Sequence, residues 1–256
     1  MAYQHLSLGH DGPVTTLTLG RPERRNALSL ELMGEVVEAL DSLPDESQVV
    51  VVAGEGPVFS AGHDLSEMLD RDVRFYRELF DVCTVMMETI HRIPQPVIAR
   101  VHGPAYAAGC QLVAACDLAV AVDTAVFATP GVKIGLFCST PMVPISRAVG
   151  RKRAMEMLLT GEPIDAATAL DWGLVNRVVP ADRLDEAVAE LVERITRYSP
   201  AVIGIGKEAF YAQVELDEHR AYDLTKAVMA SNARMADAQE GMGAFVEKRP
   251  PAWVGR

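Results

Sequence analysis

The sequence predicts an α/β core followed by a helical C-terminal part. Short apolar, β-branched runs alternate with stretches of helical period as far as Val179. One strand–turn–helix–strand unit, Val97–Val122, is built around a turn of tiny residues. From Arg183 to Phe245 the pattern is helical throughout, in about four segments broken near Pro200, Asp217 and Asp237.

In chain order, Val14–Leu19 (VTTLTL) alternates as a half-buried strand does, and RPERRNALS follows as a polar turn. Leu30–Leu43 has helical spacing, with Ser29 as N-cap and Pro44 just past its end. Val49–Ala53 is a continuous β-branched run, the mark of a strand covered on both faces. GEGPVFSAGHD is a turn-rich loop leading into a short helix, LSEML, and a longer helix covers Asp72–Arg92 before Pro94 and Pro96. The unit at Val97–Val122 comes next: an apolar strand ending at Gly103, the small turn, a helix over CQLVAACD and a second strand, Leu118–Val122. FATPGVKIGLFCSTP reads as a loop-rich stretch. Helices follow at Met142–Val149, Arg151–Leu159 and Ile164–Leu170, then a strand at Leu174–Val179.

A chain of 256 residues, 49% apolar, fits one large domain or a core with an appended subdomain and needs no staples. No uninterrupted apolar run reaches the roughly 18 residues of a membrane span. MAYQHLSLGHDG has no basic region, long apolar stretch or cleavage site, so no secretory signal is expected. Cys83, Cys110, Cys116 and Cys138 form no CxxC pair and sit among apolar or small neighbours, which points to buried, reduced thiols and a cytoplasmic setting. No metal site is expected. The net charge of −11 (24 basic against 35 acidic residues) argues against nucleic acid or an anionic membrane as partner. It leaves room for an anionic small ligand held by local cations: Arg21, Arg24 and Arg25 near the start, Lys248 and Arg249 near the end. Each group also fits a plain solvated face.

Two strand-to-helix turns share one chemistry. The first is Phe59-Ser60-Ala61-Gly62-His63-Asp64-Leu65, the second Ala107-Ala108-Gly109-Cys110-Gln111. Small residues at a helix start leave backbone N–H groups uncovered, and two such donors aimed at one point can hold a developing oxyanion. Either turn alone is as readily a packing device.

With both turns in this order, the chain resembles the crotonase, or enoyl-CoA hydratase/isomerase, superfamily over nearly its full length. The resemblance rests on RPERRNAL, VVVVAGEGPVFSAGHDL, PVIARVHGPAYAAGCQLVAACDLAVA, FATPGVKIGL, LTGEPIDAATALDWGLVNRVVP and EGMGAFVEKRPP. The wording of AAGCQLVAACD and FATPGVKIGLFCSTP is similar to the enoyl-CoA hydratase domain-containing branch. The resemblance implies a spiral of ββα units over residues 1–195 and a helical trimerisation region over 196–256, assembled as a trimer or dimer of trimers. It implies an acyl-CoA thioester as substrate or ligand, with no tightly bound cofactor. The thioester carbonyl would be held by the N–H groups of His63 and Ala108, the latter standing where many relatives carry glycine. Ala61 would lie near the adenine, Arg24 and Arg25 near the phosphates, and Phe245 and Lys248 would reach the nucleotide, as in relatives they often do from a neighbouring subunit.

The chain departs from the family pattern at the two glutamates of authentic hydratases, whose positions here hold Gln111 and Gly131. Neither can transfer a proton, and positioned acid–base groups contribute roughly 10²- to 10⁴-fold each. Ordinary hydration is therefore expected to be weak. Decarboxylation, thioester hydrolysis, weak hydration and binding without catalysis all remain open. Nearby, His63 reads as an exposed loop imidazole, Asp64 as the cap of LSEML, Cys138 as buried packing, and Glu67, Asp70 and Asp72 as solvated charges.

Overall fold

The computed structural model describes residues 3–255. The chain opens on an antiparallel hairpin, β1 (Leu6–Asp11) and β2 (Val14–Leu19), in the register Leu6↔Leu19. Thr15, Leu17 and Leu19 of β2 are buried in alternation, as its pattern requires. The sequence reading placed no strand at β1, where Leu6 alone is buried and no alternation marks the edge.

α1 (Leu30–Asp41) starts where Ser29 Oγ accepts from the Leu32 N–H at 3.2 Å, and it buries Leu32, Met33, Val36, Ala39 and Leu40 along one stripe. β3 (Val49–Gly54) runs parallel to β2. After the short α2 (Leu65–Met68), α3 (Val73–Arg92) is capped by Asp72, whose Oδ1 accepts from Phe75 N–H at 2.9 Å. Asp72 therefore has a structural role beyond solvated charge. Glu67 does too, accepting from the Leu30 N–H at 3.0 Å.

β4 (Val97–Val101) and β5 (Ala105–Tyr106) lead into α4 (Ala108–Ala115), β6 (Leu118–Val122) and β7 (Val126–Ala128). A 3-10 turn at Pro130–Ile134 follows, so the loop-rich stretch also carries the end of β7 and a short turn. Then come α5 (Met142–Ala148), α6 (Arg151–Thr160), β8 (Ile164–Asp165), α7 (Ala166–Trp172) and β9 (Arg177–Val179). The expected helix at Ile164–Leu170 is corrected at its start: Ile164 pairs with Phe127 as strand, and Asp165 caps the helix from the Thr168 N–H. The strand expected from Leu174 begins only at Arg177, because Gly173 turns left-handed and Leu174 N–H bonds back to the Ala169 carbonyl.

The main sheet has the order β1-β2-β3-β4-β6-β9, parallel from β2 onward, and β5-β7-β8 form a second, smaller sheet. Its central strands are apolar almost throughout, as a sheet covered on both faces must be. α8 (Leu184–Thr196) packs on β3, β4, β6 and β9. The remaining helices are α9 (Pro200–Gln213), α10 (Glu218–Asn232) and α11 (Ala236–Glu247), with breaks near Pro200, Asp217 and Asp237 as expected. α9 is fastened to the core by Lys207, whose Nζ lies 2.6 Å from Asp117 and donates to the carbonyls of Ile90 and Gln95. Tyr211 donates to the same Asp117 at 2.7 Å. α10 has no buried residue and leaves Tyr222 and Met229 uncovered. Among the described residues no helix is long and apolar enough to cross a membrane.

Candidate active site

The two small-residue turns meet. Ser60 and Ala105 form a parallel bridge, and Tyr106 N–H donates to Ser60 O at 2.9 Å. Gly62 fits into the contact at φ +89°; a Cβ there would lie 2.8 Å from Ala107 Cβ and 3.1 Å from Ala108 N. Only glycine supplies both that backbone shape and that clearance. His63 and Ala108, the two proposed donors, are thus separated by little more than one glycine.

Each donor is turned away from the local hydrogen-bond ladder. Leu28 uses both its backbone groups on the residues either side of His63, donating to Gly62 O at 2.8 Å and accepting from Asp64 N at 3.2 Å. The N–H of His63 has no partner among the described residues. Neither has that of Ala108, the first residue of α4. Ala107 sets this direction. It holds φ +49°, ψ −116° and offers no side-chain cap, so the positive end of α4 stays uncapped. A non-glycine residue in that region stores about 1–3 kcal/mol of strain. Ala108 itself has no exposed surface.

A buried ion pair braces the first turn. Arg21 donates to the Ala27 carbonyl at 2.9 Å and to Asp64 Oδ2 at 3.1 Å, with side chains 12% and 7% exposed. Asp64 also caps α2, accepting from the Ser66 N–H and hydroxyl. Burial pushes its carboxyl up, but the Ser66 hydrogen bonds and the Arg21 guanidinium outweigh burial and hold it below its ordinary value. Asn26 joins in, bonding to the Glu55 and Val58 carbonyls, while Ser60 Oγ donates to Asn26 O. Asp64 is a cap as expected. Arg21 is not the solvated cation of the sequence reading, and its partner lies 43 residues away, beyond any local signal.

His63 is a second correction. Its ring packs edge-on against Phe80 with centroids 5.6 Å apart, and both ring nitrogens are buried without a hydrogen-bond partner. Burial drives its pKa from 6.5 down to about 4, with the nearby Leu28 backbone resisting only in part. The imidazole is neutral at neutral pH. Gln111 is 3% exposed, and its Oε1 takes only a long contact, 3.9 Å, from the Cys83 thiol. Gly131 has no room for a side chain: a Cβ would lie 2.3 Å from Leu136 O and 2.8 Å from Cys138 Sγ. The chain folds back there, Leu136 N–H bonding to Gly131 O at 2.9 Å, and Cys138 fills the space as a buried thiol. All four cysteines are free and buried, as expected.

The remaining sequence candidates fall into two groups. Ala61 N–H donates to Arg25 O at 3.0 Å, and Arg24 reaches Ser66, so Arg24, Arg25 and Ala61 sit together beside the first turn. Phe245, 85% exposed, and Lys248, the left-handed cap of α11, lie on the C-terminal helices, and no hydrogen bond joins them to that group. Arg249 is committed to Glu240 and Glu247. A cavity of about 500 Å³ opens at the C-terminal end of α4, walled by α3, α5 and α9. It contains neither His63 nor Ala108; Gln111 is the one residue of α4's first turn in its wall.

A family model described as enoyl-CoA hydratase/isomerase matches residues 9–256. The chain belongs to the enoyl-CoA hydratase/isomerase family, within the crotonase superfamily. Inside it, the chain goes with the enoyl-CoA hydratase domain-containing branch. It is 47% identical to the human mitochondrial enoyl-CoA hydratase domain-containing protein 3 over 245 residues, covering 94% of this chain and 80% of that one. The mouse protein is 45% identical, covering 94% and 81%. Among solved structures, an enoyl-CoA hydratase of Mycobacterium smegmatis superposes with TM-score 0.96 at 48% identity over 98% of this chain and 99% of that one. The human domain-containing protein 3 does so with TM-score 0.93 at 45% identity, over 98% and 100%.

Proposed function

We propose that this protein binds acyl-CoA thioesters and polarises the thioester carbonyl between the backbone N–H groups of His63 and Ala108. The observation that carries this reading is the abutment of the two turns, each with an unpartnered N–H, across Gly62. Since Ala108 is covered, a ligand carbonyl reaches it only as the neighbouring groups give way. Arg24, Arg25 and Ala61, gathered beside the first turn, are the nucleotide contacts in this reading, and Phe245 and Lys248 reach the nucleotide from the C-terminal helices of a neighbouring subunit in the assembly. The uncovered faces of α10 and α11 support assembly as a trimer or dimer of trimers. Four buried free thiols support a reducing compartment, of which the cytoplasm is one; the human and mouse relatives are mitochondrial by name.

Water addition is not the favoured reaction. With Gln111 and Gly131 at the acid positions and His63 held near 4, the site offers no group poised to move a proton near pH 7. That supports chemistry needing only carbonyl polarisation, or binding without turnover. The test is crotonyl-CoA hydration together with calorimetric titration of butanoyl-CoA. Binding with hydration far below the roughly 10 s⁻¹ of a typical enzyme is expected. Hydration at that rate overturns the weak-hydratase reading, and absence of binding overturns the acyl-CoA reading. Lys248→Glu is expected to weaken binding, more at low salt than at high salt.

A further inference from the structure

Gln111 is the polar group at the candidate site whose hydrogen-bonding capacity the fold leaves open. It is 97% buried by its 3% exposure, yet no acceptor among the described residues bonds its Nε2. The Cys83 thiol, buried and kept protonated, faces Oε1 and directs Nε2 the other way. Gln111 stands three residues after Ala108 on α4, so the two share a helix face, and a helical side chain leans back toward the N-terminus. A carbonyl held at the Ala108 N–H therefore places the next carbons of the acyl chain beside the Gln111 amide.

Resting on the acyl-CoA reading above, we propose that Gln111 selects 3-oxoacyl thioesters, its Nε2 donating to the oxygen on C3. Three features favour a ketone over its alternatives. A 3-hydroxyl brings a proton that needs an acceptor, and Oε1 is turned to Cys83. A carboxylate on the acyl chain would need a cation, but Arg21 is tied to Asp64 and Arg147 at the cavity rim to Glu215. An unsubstituted acyl chain would cover the Nε2 donor without pairing it, which is costly. The cavity beyond Gln111, with Met87, Val143 and Pro144 in its wall, offers apolar space for the rest of the chain.

The experiment is calorimetric titration of the full-length protein with butanoyl-, 3-oxobutanoyl-, 3-hydroxybutanoyl- and malonyl-CoA, repeated on Gln111→Leu. Wild type is expected to bind 3-oxobutanoyl-CoA roughly five- to tenfold more tightly than butanoyl-CoA, the effect of one neutral hydrogen bond, with the other two no better than butanoyl-CoA. Gln111→Leu is expected to erase that preference, because 3-oxobutanoyl-CoA loses its donor and butanoyl-CoA no longer covers an unpaired amide. Equal wild-type affinities, a preference for malonyl- or 3-hydroxybutanoyl-CoA, or a 3-oxo preference that survives Gln111→Leu each overturn the role of Gln111 while leaving acyl-CoA binding standing. No binding of any thioester removes both readings. If Gln111→Leu fails to fold, Gln111→Met takes its place in the same titrations, with the same outcomes deciding.

Discussion

Acidification tests the placement of His63. Burial holds its folded value at about 4 against an ordinary 6.5. The unfolded chain therefore takes up this proton first as pH falls. The stabilisation is complete above the unfolded value and is lost as pH drops through the folded one. Each unit of difference corresponds to about 1.36 kcal/mol, so the gap between 6.5 and about 4 amounts to about 3 kcal/mol. His91 and His102 are also held down by burial and act in the same direction. The informative quantity is thus the difference between wild type and His63→Phe, which keeps the packing on Phe80. Urea unfolding from pH 7.5 to 4 should show wild type losing about 3 kcal/mol more than the variant over that range. Histidine NMR should show one imidazole titrating near 4. Parallel stability curves, or a His63 resonance that titrates near 6.5, would refute the burial argument.

Three further outcomes concern the two turns and the Gly131 fold-back. Arg21→Met leaves Asp64 buried without its cation and should cost about 3 kcal/mol by urea denaturation; adding Asp64→Asn should recover much of that, measured as a double-mutant cycle. Ala107→Gly relieves a conformation that alanine tolerates poorly and should raise stability by about 1 kcal/mol in thermal unfolding, the relief exceeding the entropy glycine adds to the unfolded chain. Gly131→Ala drives a methyl into the Leu136 carbonyl and should cost about 2–3 kcal/mol; an unchanged melting temperature would mean that loop is softer than its contacts imply.

The frame of the fold was legible where local chemistry acts alone. Ser29 and Asp72 announce helix starts, Pro94 and Pro96 close α3, and the run at Val49 marks a central strand. β1 escaped because an edge strand with one buried residue carries no period. β8 escaped because Ile164 is claimed by its partner Phe127, a tertiary choice that overrides the helical pattern beginning two residues later. The site divided the same way. Small residues advertised both turns. The burial of His63 against Phe80 and the Arg21–Asp64 brace join residues distant in sequence, whereas Cys138 meets Gly131 within one short segment whose residues carry no local signal that the chain folds back there.

The fold-back at Gly131 also bears on the history of such a site. Where a lost acid leaves its socket intact, one codon change can bring it back. Here the socket is filled by the Leu136 carbonyl and the Cys138 sulfur, so a glutamate at 131 arrives in occupied space. The intermediate on any path to a carboxylate at 131 is a destabilised protein unless the 136–138 segment changes first, and that earlier change brings no acid of its own. The order of steps is therefore constrained: at position 131 a side chain is much easier to do without than to introduce.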